Sequence, residues 1–357
     1  WGGNDNYQGQ PGTRPLQLAN PDLKGEQTSQ VNLGIEFGVL NNRIEGEINV
    51  YDKMTKGVLL NQPVPNTTGF STIAFNGGDI SNKGVEFLLN AGVVRNADFR
   101  WDVSLNVAHN KNLIEKLNAP YFEPFSRNFI IFQQGYPVNG FRLWQQESVN
   151  PQTGNAVYTD VDKNNVIDDR DRMILGSNQP DVFGGLSSSL RYKNFDFSFT
   201  FSFEWGQEVV NWTTFFMVHG GTRLNAATGQ ATYGFYTRQL DRWQKPGDIT
   251  DIPKVGGTPA ERSNNYGLFT SRALEDGSYT RLRNIVLGYT IPASVLSRVG
   301  MSNARIYVMG TNLLTFTNYS GLDPEINAGG GKGTVAGVEM FTVPQPRTLQ
   351  AGISVGF

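Results

Sequence analysis

Between Asn194 and Trp205 the chain reads NFDFSFTFSFEW, in which Phe195, Phe197, Phe199, Phe201, Phe203 and Trp205 alternate without interruption with Asp196, Ser198, Thr200, Ser202 and Glu204. Successive side chains of a strand point to opposite faces, so one face of this segment is wholly aromatic and the other wholly polar. Two architectures accept such a strand. One is a half-buried antiparallel sheet in a soluble sandwich; the other is a barrel wall whose outside meets lipid while its inside meets water.

The rest of the chain separates these alternatives. Period-two alternation predicts nine long strands: about 28–40, 43–60, 82–94, 99–111, 180–193, 195–210, 279–291, 303–316 and 347–357. Strands of ten or more residues exceed the five or six usual in soluble sheets, and they suit a tilted bilayer crossing. Short turns are expected at Asn41-Asn42, Arg95 to Asp98, Lys193-Asn194 and Pro292 to Ser302, and long connections at 61–81, 112–179, 211–278 and 317–346. Short and long alternate, so every long connection emerges at one end of an up-and-down sheet. Bacterial outer-membrane barrels have this asymmetry, with tight periplasmic turns and long extracellular loops. Val138 to Val149 is a further extended stretch, which the same parity requires to be an extracellular hairpin or one of two added strands.

Composition agrees. Mean hydropathy is −0.35, and no apolar run approaches the length of a spanning helix; a barrel strand needs apolar residues only at alternate positions. The 30 basic and 32 acidic residues are interspersed and give a net charge of −2, which argues against a nucleic-acid groove or a polybasic membrane patch. With no Cys, disulfides, thiolate metal sites and Cys nucleophiles are excluded.

One constellation has metal-ligand spacing. Asp160, Asp162, Asn164, Val166, Asp168 and Asp171 occupy positions 1, 3, 5, 7, 9 and 12 of a calcium loop, Val166 through its carbonyl. Position 6 is Asn165 where Gly is usual, and position 12 is the shorter Asp171 where Glu is usual, so the pattern is equally that of a solvated acidic turn. An ion here would stiffen a loop. The long connections also carry aromatics with the shape to stack on sugars or meet a partner, among them Trp144, Trp212, Tyr236 and Trp243, although loop packing uses the same residues. Glu36, Glu86, Asp196 and Glu204 are expected on a wet interior face. His109 and His219 have no evident catalytic partners, and the glycines at 329–331 lead into no phosphate-binding pattern, so the chain does not read as an enzyme.

The last strand, TLQAGISVGF, places Leu349, Ala351, Ile353, Val355 and Phe357 on one face and ends in an aromatic, as the assembly signal of outer-membrane barrels does. Nine strands are an odd number with two open edges, which leads to the expectation of an N-terminal part in this polypeptide's precursor or in a companion chain. WGGNDNYQGQPG, with neither an initiating Met nor a signal segment, reads as a product of processing or a piece of something larger.

The wording of these segments resembles the C-terminal barrel region of the SusC/RagA-like TonB-dependent outer-membrane transporters of Bacteroidetes. The resemblance rests on NPDLKGEQTSQVNLGIEFGVLNNRIEGEINVYDKMTKGVLL from Asn20, GDISNKGVEFLLN from Gly78, DVDKNNVIDDRDRMILGSNQPDVFGGLSSSLRYKNFDFSFTFSF from Asp160, YTRLRNIVLGYTIP from Tyr279, RIYVMGTNLLTFTNYSGLDPEI from Arg305 and PQPRTLQAGISVGF from Pro344. Gly25 departs from it, standing where the family more often has Trp. The resemblance implies an all-β fold: the last nine strands of a 22-stranded transmembrane barrel, with a plug and a TonB-contacting segment encoded upstream of residues 1–357. It also implies a SusD-like lipoprotein lid, the bacterial outer membrane as location, and oligosaccharides or peptides as cargo. A surface adhesin or scaffold on a similar barrel, and a soluble calcium-stabilised carbohydrate-binding sandwich or glycosidase, are the alternatives.

Overall fold

The computed structural model describes every residue except 1, 8–9, 15–17, 71, 122, 124–128, 219–235, 298–299, 326 and 329–335. Its main feature is one nine-stranded antiparallel sheet formed by β1 (Gln27–Val39), β2 (Ile44–Pro63), β3 (Thr72–Arg95), β4 (Phe99–Leu117), β5 (Val182–Tyr192), β6 (Phe195–Trp205), β7 (Tyr279–Thr290), β8 (Asn303–Thr317) and β9 (Thr348–Gly356). Each strand pairs with its neighbours in sequence, so the sheet is an uninterrupted meander from β1 to β9.

Register gives this sheet two chemically distinct faces. Leu33 lies opposite Val50, Val50 opposite Val85, Ile35 opposite Ile48, and Ile48 opposite Phe87. The same face continues through Leu105, Leu186 and Phe201, then Leu282 and Leu314. At the end of the sheet Ile306 meets Ile353. Many of these side chains are exposed, Leu33 by 72% and Ile353 by 70%, which is untenable in water over nine strands and expected against lipid. A soluble sandwich would cover this face with a second sheet; among the described residues none does so. The opposite face carries Glu36, Glu47, Asn49, Glu86, Asn106, Ser187, Asp196, Ser198, Thr200, Ser202 and Glu204, and so meets water.

Two glycines on the apolar face are filled by neighbouring rings. A Cβ at Gly46 would come 2.2 Å from Phe37 Cζ, and one at Gly184 would come 2.1 Å from the Asn106 carbonyl oxygen and 2.9 Å from Phe203 Cζ. Aromatic side chains laid over cross-strand glycines hold register in strongly bent sheets. Near the tight turns, Phe99 and Tyr192 rings sit 6.4 Å apart and Phe195 and Tyr289 rings 4.6 Å apart; near the loops, Trp205 Nε1 donates to Thr280 Oγ1. These are the positions of aromatic belts at a bilayer's two interfaces. The tight turns use residues that tolerate positive φ: Asn41 and Asn42 have φ of 55° and 57°.

Three boundaries differ from expectation. The strand expected at 99–111 continues to Leu117, paired with the extension of β3 as far as Gly78. The connection expected at 61–81 is short, spanning only 64–71, because β2 and β3 remain paired from Val58 with Gly78 to Pro63 with Thr72. Gly57, at φ 67°, sits in a bulge that breaks the alternating pattern there and conceals the continuation. The strand expected at 195–210 stops at Trp205; Gly206, at φ 91°, turns the chain so that Glu208–Asn211 leaves the wall and pairs with Leu274–Asp276 and Val338–Glu339. Val138 to Val149 forms two short strands at the loop end. Gly140–Trp144 pairs with Arg172–Ser177 and Ile130–Ile131, and Gln146–Val149 pairs with Ala156–Tyr158.

The loops form a folded layer with its own core. Phe129, Ile130, Phe141 and Leu143 come from the β4–β5 connection, Val210, Trp212, Phe216 and Ala273 from β6–β7, and Val338 from β8–β9. Burial concentrates there because the wall is a single layer, wet on one side and lipid-facing on the other.

Candidate functional site

The wet face of the sheet and the loop layer at its end make up the candidate site. A recess of about 390 Å³ on this face is lined by Glu36, Glu45, Glu47 and Asn90. Glu36 and Glu47 are directly opposed, a like-charge pair that is tolerable only where water reaches it. Further round, Arg305 donates from Nε to Asp196 Oδ1 at 3.0 Å and from Nη2 to Asp196 Oδ2.

At the loop end lies a charged cluster that sequence reading passed over. Tyr279 pairs with Glu204 and Arg281 with Ser202, which places them on the wet face, and a bulge between Leu282 and Asn284 keeps Arg283 and Asn284 on that side too. Arg281 donates to Asp323 and lies 3.2 Å from Glu325, while Arg283 donates from two nitrogens to the two Glu325 oxygens. The Arg281 and Asp323 side chains are only 2% and 5% exposed. Asp323 also accepts from the Glu325 and Gln345 amides, so both limbs of the β8–β9 connection are gathered onto the barrel wall. The available signal was spacing: two arginines at i and i+2 on a strand, and two acids at i and i+2 in LDPEI.

In the acidic loop, carboxylate oxygens of Asp160, Asp162 and Asp171 lie within 4.8 Å of one another. Asn165 adopts φ 63°, the left-handed turn that position requires, and donates its amide to Asp160 Oδ2 at 2.7 Å. Asp171 is fully buried and accepts from the Val161 and Asp168 amides at 2.8 Å each. The structure does not bring all six candidates together. Asp168 caps the turn at 169–171 and faces Arg170, whose guanidinium holds its carboxyl below the usual range, and Asn164 Oδ1 accepts from the Val166 amide. Arg170 also lies 3.3 Å from Asp162. The loop is anchored from behind: Trp144 Nε1 donates to the Asp168 carbonyl at 2.8 Å, and Arg172 pairs with Asp169 at 2.5 Å.

The four aromatic candidates have different settings. Trp144 is half-buried beneath Arg172, 4.9 Å from its ring centroid. Trp243 packs over Gly154 and donates to the Pro151 carbonyl, and Tyr236 is half-buried. Trp212 is corrected: at 2% exposure it is a core residue, in edge contact with Phe129 at 5.3 Å, and offers no surface to a cargo or lid. His219 and the 329–331 glycines lie outside the described residues. His109, on the lipid-facing side, meets the Asp181 carbonyl at 2.5 Å.

Loop electrostatics follow burial and pairing. Desolvation pushes the Tyr158 hydroxyl up to about 12, and it donates to the Asn264 carbonyl. Burial also raises Glu208 and lowers Arg272. Glu261 is held down at about 2, first by the Lys254 ammonium at 2.7 Å and then by the Thr258 amide in a capping box that starts the helix Pro259–Tyr266.

Comparisons with known proteins agree with this architecture. Residues 2–313 match the family model described as TonB dependent receptor-like, beta-barrel. TonB-dependent receptor P3 of Formosa agariphila is 32% identical over 369 residues, covering 95% of this chain and 35% of that protein. TonB-dependent receptor SusC of Bacteroides thetaiotaomicron is 28% identical over 363 residues, covering 95% of this chain and 32% of that one. The solved structure titled as the RagAB peptide transporter superposes with a TM-score of 0.81 at 28% identity, over 99% of this chain and 38% of that one. This chain thus spans about a third of the length of the relatives it matches. A meander with one apolar and one polar face, carrying folded loops at one end and matched over that length, identifies the chain as a SusC/RagA-like member of the TonB dependent receptor-like beta-barrel family, a protein of the bacterial outer membrane.

Proposed function

We propose that this chain supplies the last nine strands of an importer that brings oligosaccharides or peptides across the outer membrane. In this reading a plug and a TonB-contacting segment belong to the longer polypeptide, as the chain's one-third share of its relatives supports. A SusD-like lipoprotein closes over the loop layer, in keeping with the likeness to SusC and to the RagAB transporter. Transport proceeds by gating, with no chemistry on the cargo. The single observation that carries the reading is the two-faced wall, whose inner side is lined with carboxylates, amides and hydroxyls suited to a hydrated path. The test is uptake of labelled oligosaccharides and peptides too large for porins by cells carrying or lacking the full-length gene. Loss of uptake in the deletion, restored by the gene but not by a TonB-uncoupled form, is expected; uptake equal in all strains would leave an adhesin or scaffold.

Within this reading, Asp160, Asp162 and Asp171 hold a calcium ion with help from Asn164, the Val166 carbonyl and, once turned away from Arg170, Asp168. The convergence of three carboxylates and the left-handed Asn165 support the assignment, and millimolar extracellular calcium is sufficient for a weak site. Calcium titration should protect 160–171 from proteolysis in the folded protein. Unchanged cleavage up to millimolar calcium would remove the ion and leave an Arg170-neutralised acidic turn.

A further inference from the structure

The outward face of the sheet is uncharged between its two ends. In β1 to β4 the last uncharged row before the loop end is Leu33, Val50, Val85 and His109, and the next outward row is Val31, Asp52, Lys83 and Lys111. Lys83 and Lys111 are direct cross-strand partners and both are exposed. Like charges directly opposed on a sheet repel and destabilise it. Asp52, 2.9 Å from Lys83, offsets one of the two charges, and no described residue pairs with Lys111. The wall therefore keeps an excess cation at the step where it leaves the apolar band.

That height has a defined chemistry in an outer membrane. Lysine stems lie along apolar surface and carry their ammonium groups to the headgroup level. The long loops leave at this end, so the level is that of the outer leaflet. We propose that Lys83 and Lys111 seat the phosphate of a phosphorylated glycolipid of the outer leaflet, its acyl chains lying on Val50 and Val85. Val85, 43% exposed, lies directly below Lys83, and Val50, 49% exposed, lies beside it below Asp52, while His109 lies below Lys111, so the apolar track runs along β2 and β3. A phosphate monoester carries up to two negative charges, so it can take the Lys111 ammonium, which no described residue pairs, while sharing Lys83 with Asp52.

The test uses the full-length protein in mild detergent, with lipid A and its enzymatically dephosphorylated form as probes and native mass spectrometry as the readout. Each lysine near an anionic headgroup is worth about a fivefold preference. The wild type should favour phosphorylated over dephosphorylated lipid A by about 25-fold, and the K83Q/K111Q double variant should lose that preference while keeping the heat-modifiable mobility of a folded barrel. Lys53→Gln is the control, since Lys53 lies on the wet face opposite Gln30 and its loss should change nothing. If the double variant does not fold, K111Q alone should lose about fivefold. The proposal is overturned if the wild type does not discriminate the two lipids, if the lysine variants discriminate as well as the wild type, or if equimolar inorganic phosphate displaces the lipid, which would mark a free-anion site.

Discussion

Replacing Asp323 by Ala isolates the contact that ties the β8–β9 connection to the barrel. The change leaves the Arg281 guanidinium, 2% exposed, facing a void, and removes the acceptor for the Glu325 and Gln345 amides. Removing one partner of a buried ion pair typically costs 3–5 kcal/mol, and because Glu325 still stands 3.2 Å from Arg281, the lower end, about 3 kcal/mol, applies. The barrel wall does not depend on this contact, so the loss acts on local opening of 318–346 and leaves global unfolding nearly unchanged. At 1.4 kcal/mol per decade this is about a 100-fold acceleration of amide exchange in the anchored parts of that segment. Hydrogen exchange of the full-length protein in detergent measures it, with the amides of β7 and β8 as internal reference. An R281M/D323L double variant should recover the part of the protection lost to the unpaired buried charge, since well-packed apolar replacements of buried pairs are often neutral, but not the part owed to the Glu325 and Gln345 amides. Exchange within twofold of the wild type in D323A would refute the claim that this pair holds the loop.

Other outcomes follow from the same structure. Phe199→Arg puts a cation on the lipid face midway along β6 and should cost about 2–4 kcal/mol, whereas Ser198→Arg, on the wet face, should be tolerated; urea unfolding in vesicles compares them, and equal costs would contradict the assignment of faces. Trp212→Ala should destabilise the loop layer by about 3–5 kcal/mol, read as faster proteolysis of loops around an intact wall. Glu261 has a folded value of about 2, below its unfolded value of about 4.3. Its contribution to the 254–266 segment is therefore complete above the unfolded value and lost as pH falls towards 2. Proteolysis of this segment against pH should show that loss, and Lys254→Met should move it to higher pH.

The fold was legible because a lipid-facing wall imposes a local rule that a single strand already displays. Every residue from Phe195 to Trp205 has its face set by its own parity, so nine segments and their turns could be read without knowing what they touch. The rule failed where the backbone left the ideal pleat: at Gly57, whose bulge hid the paired extension to Pro63 and Thr72, and at Gly206, which took Glu208–Asn211 out of the wall. The acidic spacing at 160–171 was visible in order, yet only folding showed that three carboxylates converge while Asp168 turns to Arg170.

Alternating polarity, strand length and the chain's phrasing thus determined the wall, its two faces and its family from sequence alone, since each is a property of neighbours along the chain. Tertiary structure decided the rest. Trp212 lies in a core drawn from three separate connections, and Arg281 meets Asp323 forty-two residues away. Such contacts depend on which loops share the space above the sheet, and no local period encodes that.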